Sequence, residues 1–160
     1  MNKDEMQKVG ELLAYLDSVD GQLSNLKKRV PLAIKELEGR VKGQDKDAQK
    51  GFPHFVNTLA EMKKLNKEVD PAIKAIASMV KLAQDKKKMD ALSMADFKKL
   101  FIALIKPVQK ASDAAATAWI TWKKNPMPDK QLVSLTATNG YCENFQKYLN
   151  DYKILLGKTR

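Results

Sequence analysis

Apolar residues recur at steps of three and four along most of this sequence, which is the spacing of one face of an α-helix. In the first segment, about residues 3 to 42, ten successive apolar positions keep this spacing. The glycines at positions 10 and 21 each lower the helix propensity by about 1 kcal/mol relative to alanine, yet the apolar pattern continues through both. The segment is therefore predicted to form one long amphipathic helix with the inward-facing positions Val9, Leu12, Leu16, Val19, Leu23, Leu26, Val30, Ile34, Leu37 and Val41.

The second and third predicted helices follow a connection over 43–51, where glycine and charged residues replace the apolar pattern. The second helix is predicted over about 53 to 89, and its last turn contains lysines that suit the helix dipole. The third begins at Ser93, because Ser93 and Asp96 have the spacing of a capping box. The inward positions are Phe55, Leu59, Met62, Leu65, Val69, Ile73, Ile76, Val80 and Ala83 in the second helix, and Phe97, Leu100, Phe101, Leu104, Val108, Ala111, Ala115, Ala118, Trp119 and Trp122 in the third.

A fourth helix is predicted after the proline-containing connection 125–128, which cannot continue the third. Asp129 is the expected N-cap, and Gly157 marks the expected end. The inward positions of this helix are Leu132, Leu135, Phe145, Leu149, Tyr152 and Leu156.

Whether the helices continue through their prolines or end at them determines the predicted architecture. The pair Asp70-Pro71 is typical of a helix start, because Asp accepts free backbone amides and Pro lacks an amide that would need a partner. The apolar spacing nevertheless continues through it, from Leu65 to Ile76. We therefore predict an all-α fold, an antiparallel up-down-up-down four-helix bundle of long helices kinked at Pro31, Pro71 and Pro107. The alternative is six or seven shorter helices that are broken at the prolines.

The positions of the prolines support the bundle. In an antiparallel pair, residues at equal height lie symmetrically about the turn between their helices. The midpoint of Pro31 and Pro71 is residue 51 and that of Pro71 and Pro107 is residue 89, and both lie in predicted turns. The three prolines are therefore expected at about one level of the bundle.

Length and composition indicate one domain over residues 1–160. The sequence is 44% hydrophobic and has few aromatic residues, which favours a helical core. The longest apolar run, residues 100–105, is far shorter than the ~20 residues of a membrane span. The first residues are charged and show no secretory signal. We expect a soluble protein, cytoplasmic if the chain is complete; the compartment is unknown if a targeting segment was removed.

The sequence offers few groups for catalysis. His54 is the only histidine and Cys142 the only cysteine, so an intramolecular disulfide is impossible and Cys142 is interpreted as a small buried hydrophobe. No zinc-protease or di-iron motif and no glycine-rich phosphate loop is present. The paired acids at 36/38 and 45/47 are interpreted as solvated carboxylates. We expect no enzymatic activity, no cofactor and no metal site.

A haem site is the one cofactor site for which the sequence supplies potential ligands. In the bundle, His54, Met127 and the two tryptophans would lie at one end, and His and Met are known axial ligands. No haem-attachment motif accompanies them, and His54 is interpreted as an ordinary residue at the start of a helix.

The charge balance suggests an anionic partner. The net charge is +10, and all but three of the 29 basic residues are lysines. Lysine lacks the planar fork with which arginine recognises phosphates and bases, so a protein partner is expected ahead of non-specific nucleic acid, and no small-molecule substrate is inferred. The alternative is that these lysines only solvate the surface. The candidate partner-binding residues are Lys86, Lys87, Lys88, Lys98, Lys99, Lys153, Lys158 and Arg160.

Trp119 and Trp122 are one helical turn apart, next to Lys123 and Lys124. One interpretation is that they fill the wide end of the core. The other is an exposed aromatic contact patch that grips a membrane interface, a partner helix or stacked bases.

Two functions therefore remain open. The first is a non-enzymatic helical-bundle interaction protein that binds an acidic protein or other polyanion through a lysine-rich face. The alternative is a membrane-active or lipid-binding bundle whose amphipathic helices open at the kinked layer on an anionic bilayer.

Overall fold

A computed structural model describes residues 1–43, 53–124 and 132–158, with the side chains of residues 53 and 54 excepted. These parts of the chain are all-helical and contain no strand. They form six helices, as the alternative of six or seven shorter helices anticipated, and the bounds are α1 Lys3–Lys42, α2 Pro53–Gln84, α3 Lys86–Asp90, α4 Met94–Leu104, α5 Lys106–Lys123 and α6 Val133–Lys158.

Helix α1 has the bounds that the apolar pattern predicts. A capping box holds its first turn: Asn2 Oδ1 accepts from the amide of Glu5 at 2.8 Å, and Glu5 Oε2 accepts from the amide of Asn2 at 3.0 Å. Eight of the ten predicted inward positions are buried, while Ile34 and Val41 pack against the core from partly exposed positions. The 3.6-residue period was therefore sufficient to define this helix.

Two of the three prolines lie within continuous helices. Pro31 is inside α1 and Pro71 is inside α2, and both are exposed. The carbonyls that they leave without an amide donor belong to Lys27 and Lys67, which are also exposed, so water can satisfy those groups. Because the unpaired backbone groups face solvent, neither proline needs to end its helix.

The third predicted helix is interrupted where the sequence analysis expected a kink. Ile105 separates α4 from α5, and Pro107 lies in the first turn of α5. The Ile105 backbone stays near helical values, at φ −77° and ψ −10°, and its amide still donates to the carbonyl of Phe101 at 3.0 Å. Pro107 supplies no amide to continue the ladder, which is why two helices meet here.

The second predicted helix also ends earlier than expected, at Gln84 instead of residue 89. Asp85 adopts an extended backbone, with φ −82° and ψ 96°, and its side chain accepts from the amide of Lys88. This N-cap starts the five-residue helix α3. At the other end of the chain, Gly157 is the penultimate residue of α6, which is described as far as Lys158.

The long helices pack in a closed circuit. Helix α1 contacts α2 and α6, α2 contacts α5, and α5 contacts α6, while α3 and α4 pack on α2. All six contribute to one core cluster, in which Phe97, Phe101, Phe145 and Tyr152 are the largest fully buried side chains. The rings of Phe97 and Phe101 lie 4.1 Å apart, centre to centre.

Charged pairs cross two of these seams. Lys27 Nζ lies 3.2 Å from Asp70 Oδ1, and Glu38 Oε1 lies 4.0 Å from Lys63 Nζ, both between α1 and α2. Between α2 and α5, Glu68 Oε1 lies 3.6 Å from Lys110 Nζ. These pairs are largely exposed, so they define register more than they add stability.

The start of α6 is held by a residue from another helix. Glu36 in α1 accepts the backbone amides of Ser134 and Leu135, each at 2.9 Å, one on each carboxylate oxygen. Thr138 Oγ1 lies 2.6 Å from the carbonyl of Ser134 and 3.2 Å from that of Arg29 in α1. The interpretation of Glu36 as a solvated carboxylate is therefore wrong, because it supplies acceptors for two amides that the helix leaves free. The expected cap Asp129 and the acids at 45 and 47 lie outside the described residues.

Candidate functional site

The main candidate site consists of lysines on the two short helices that follow α2. Lys86, Lys87 and Lys88 make up the first three positions of α3, and all three are exposed. Lys98 and Lys99 lie on α4, where Lys99 is exposed and Lys98 is half-buried. We call these five residues the lysine face.

Local sequence explains why these lysines point outward. Met89 in α3, and Met94 and Phe97 in α4, are buried and anchor their helices to the core. Ser93 caps α4 by accepting from the amide of Asp96 at 3.1 Å, as the capping pattern predicts. Helices pinned on one side by such anchors present their remaining positions to solvent.

Acidic residues partly offset the positive charge of the lysine face. Asp85 Oδ2 lies 3.9 Å from Lys88 Nζ, and Asp90 and Asp96 are exposed on the same short helices. The ion pair is exposed and weak. The lysine face is therefore available to an external anion, with Lys88 partly neutralised.

The remaining lysines of the predicted set lie on α6. Lys153 Nζ donates to Gln109 Oε1 at 2.8 Å, across the seam between α6 and α5. Lys158 lies beside Tyr15 of α1 and Ile154 of α6, in a shallow groove. Arg160 lies outside the described residues. The structure thus gives Lys153 a polar partner on α5, an environment that the sequence analysis did not anticipate.

The two tryptophans are half-buried. Both pack against the core cluster, and the ring of Trp122 lies 6.2 Å from that of Phe55. Lys123 Nζ lies 4.4 Å from the centre of the Trp119 ring, within the range of a cation–π interaction. Both tryptophans therefore contact the core and remain partly accessible to solvent.

Cys142 and Tyr152 are buried ionisable groups whose pKa values are raised by burial. Burial raises the pKa of the Cys142 thiol to about 12, so the thiol is protonated at neutral pH. Cys142 is fully buried, as expected for a lone cysteine in a core. Burial also raises the pKa of the Tyr152 hydroxyl. Neither group is a ready nucleophile or base at neutral pH.

His54 and Met127 are the two side chains considered above as haem ligands. His54 lies in the first turn of α2, and Met127 lies outside the described residues. Within residues 1–43, 53–124 and 132–158, no three or more His, Cys, Asp or Glu side chains are grouped so that they could hold a metal ion. None of the described helices has the length and apolar character needed to cross a membrane.

A polar cluster that the apolar pattern did not predict lies between α5 and α6. Gln109, Asp113, Gln146 and Asn150 line a groove there with Lys153. Gln109 and Asp113 are four residues apart, and Gln146, Asn150 and Lys153 follow one another at steps of four and three. Residues at these steps lie on one face of a helix, so the sequence could have indicated a polar face on each of the two helices.

No protein-family model, curated protein or solved structure matches this chain.

Proposed function

We propose that the chain is a single domain, residues 1–160, in which four long helical segments run antiparallel in up-down-up-down order. In this arrangement α4 and α5 together form the third segment. The contacts support it, since positions 38 and 27 of α1 pair with positions 63 and 70 of α2, in the reverse order along the chain. On the α2–α5 seam, Phe55 meets Trp122 while Glu68 meets Lys110, again in reverse order.

The same contacts favour one level for the three prolines. Asp70 precedes Pro71 and pairs with Lys27, one turn before Pro31. Glu68 pairs with Lys110, three residues after Pro107. Bends at this level remain part of the proposal, and residual dipolar couplings measured along α1 on either side of Pro31 would test them; a single straight axis through α1 would refute a kink there.

On this scaffold we propose a non-enzymatic interaction protein that binds an acidic protein through the lysine face. The observation that carries the proposal is the placement of Lys86, Lys87, Lys88 and Lys99 at exposed positions on two adjacent short helices with buried anchors. Ammonium groups in such a cluster attract carboxylates over distances up to about the 10 Å Debye length at 0.1 M salt. Because lysine gives no bidentate recognition, association should depend strongly on salt and weakly on sequence.

A charge-reversal experiment tests this function. Poly-L-glutamate serves as the acidic probe, and the test variant changes all five residues of the lysine face to Glu. The control variant changes five exposed lysines elsewhere to Glu, which gives the same net charge: Lys8, Lys28, Lys35, Lys67 and Lys147.

The test variant should lose at least about tenfold in affinity and have a flatter salt dependence, because removal and reversal of five surface charges sums to more than ~1.4 kcal/mol. The control should lose clearly less. Equal losses would show that only net charge matters and would overturn the proposal. Tight binding of a DNA duplex without binding of poly-L-glutamate would also overturn it, in favour of nucleic acid.

A second candidate, binding to an anionic membrane, is favoured by one exposed apolar side chain beside the lysine face. Ile102 in α4 is 55% exposed and follows Lys98 by one helical turn. An apolar residue flanked by lysines is typical of a helix that lies in a membrane interface.

Co-sedimentation with vesicles tests this candidate. Vesicles with and without phosphatidylserine should be compared for the wild-type chain and for Ile102→Ser, with Ile154→Ser as the control, since Ile154 is also exposed but lies on α6. Sedimentation only with anionic vesicles and its loss in Ile102→Ser alone would support membrane binding. No sedimentation with either vesicle would exclude it.

A further inference from the structure

A polar groove lies between α5 and α6, separate from the lysine face. Its volume is about 300 Å³. Two apolar side chains line the groove: Leu149, which is buried, and Ala116, which is half-buried. Six of the eight lining side chains carry polar groups: Gln109, Ser112, Asp113, Gln146, Asn150 and Lys153.

A hydrogen-bonded chain crosses this groove. Lys153 Nζ donates to Gln109 Oε1 at 2.8 Å, and Gln109 Nε2 donates to Asp113 Oδ1 at 2.9 Å. The amide of Gln109 therefore separates an ammonium group from a carboxylate. The groove therefore presents a positive charge, on Lys153, and a negative charge, on Asp113, on either side of the Gln109 amide.

Gln146 has a hydrogen-bond donor that takes no part in this hydrogen-bonded chain. Its Nε2 is enclosed, and none of the described residues accepts a hydrogen bond from it. An enclosed amide group without a partner costs on the order of 1–3 kcal/mol, so native proteins leave few of them. This donor lies on the same helix as Lys153, two turns earlier.

We propose that this groove binds a small carboxylic acid that also carries an amine or a hydroxyl group. The carboxylate accepts from Lys153 Nζ, and also from Gln146 Nε2 once the Gln146 side chain rotates to turn this enclosed donor into the groove. The amine or hydroxyl donates to Asp113. The groove volume is at the lower end of the range for small-molecule sites, so the ligand is the size of an amino acid or a hydroxy acid.

Side-chain amide signals in ¹H–¹⁵N NMR spectra provide a direct readout, because Gln109, Gln146 and Asn150 all line the groove. The probes are L-serine, lactate, acetate and ethanolamine, each added up to about 10 mM. L-serine or lactate should shift these signals saturably, acetate should bind more weakly, and ethanolamine, which lacks the carboxylate, should not bind.

Variants identify the groups involved. Lys153→Met and Gln146→Leu should each weaken binding of the effective probe by about tenfold or more. Lys147→Met is the control, since Lys147 is an exposed lysine on the same helix that does not line the groove. If Gln146→Leu does not fold, Asp113→Asn replaces it and should weaken L-serine or lactate while leaving acetate unchanged.

Two results would overturn the proposal: no saturable shift with L-serine or lactate, or the same loss of binding in Lys147→Met as in Lys153→Met. The variant with all five residues of the lysine face changed to Glu should still bind the probe. Failure of the groove is thus distinguishable from failure of the lysine face.

Discussion

Glu36→Ala tests whether the start of α6 depends on a side chain from α1. The substitution removes both acceptors of the Ser134 and Leu135 amides, which lie 2.9 Å away. A hydrogen bond to a charged group contributes about 1.5–3 kcal/mol, and loss of an N-cap residue costs about 0.5–2 kcal/mol. Glu36 is half-buried, so water can replace part of the loss. We expect the free energy of unfolding to fall by about 2–3 kcal/mol, which corresponds to roughly 4–12 °C in Tm for a chain of this size.

Urea unfolding followed by circular dichroism measures this change, and Glu38→Ala is the matched control. Glu38 lies two residues away, but its partner Lys63 is 4.0 Å distant, and the Lys63 and Glu38 side chains are 53% and 39% exposed. Exposed pairs contribute about 0–1 kcal/mol, so the control should lose less than about 1 kcal/mol.

Hydrogen exchange provides the local readout. The amides of Ser134 and Leu135 should exchange faster in Glu36→Ala, with smaller changes in α2 and α5. Similar destabilisation by the two substitutions, or unchanged exchange at these amides, would refute the conclusion that Glu36 caps α6.

Three further predictions concern stability and reactivity. Gly10→Ala and Gly21→Ala should each stabilise the fold by about 0.5–1 kcal/mol in urea unfolding, because a Cβ at either position meets no atom within 4 Å; destabilisation would show a contact that the structure lacks. Burial, together with repulsion from Asp17, raises the pKa of the Asp20 carboxyl above its usual 3.8. The folded state therefore holds this proton to higher pH than the unfolded state, and stability falls as pH rises from about 3.8 through the folded pKa. Asp20→Asn should remove this loss, so it should stabilise the protein at pH 7 but not at pH 3, and an equal effect at both values would contradict the assignment. Cys142 should react with a thiol reagent only as fast as the core opens, because it is buried with a pKa of about 12; labelling as fast as that of the unfolded chain would contradict its burial.

Much of the fold could be predicted from periodicity and capping signals. The bounds of α1 and the Ser93 cap of α4 follow from local sequence, and the structure has both. The break at Asp85 was missed because the lysines after it continue a plausible last turn, whereas the Asp85 cap depends on a backbone conformation that no pattern shows. Residues 86–90 therefore form a separate helix, which alters where three lysines of the candidate site lie.

The site was less predictable because its partners are distant in sequence. Glu36 contacts amides 98 and 99 residues away, and Lys153 contacts a side chain 44 residues away. Such contacts depend on the register between helices, and small shifts in register exchange one partner for another. Exposure of the lysines could be predicted from the apolar pattern, but the hydrogen bond that holds Lys153 between two helices could not.

The pair Asp70-Pro71 shows that core packing can override a local sequence signal for the start of a helix. As a helix start, Asp70 would accept a backbone amide two or three residues later. In the structure its carboxylate instead lies 3.2 Å from Lys27 of α1, and the helix continues through Pro71. This exposed pair contributes too little to determine the outcome. The decisive term is burial of Val69, Ala72 and Ile76 on either side of the proline, since two large buried side chains contribute about 1.5–3 kcal/mol each and together offset the ~3 kcal/mol cost of a proline inside a helix. Replacing both Val69 and Ile76 by Ser would remove that compensation, and α2 would then be expected to end at Asp70.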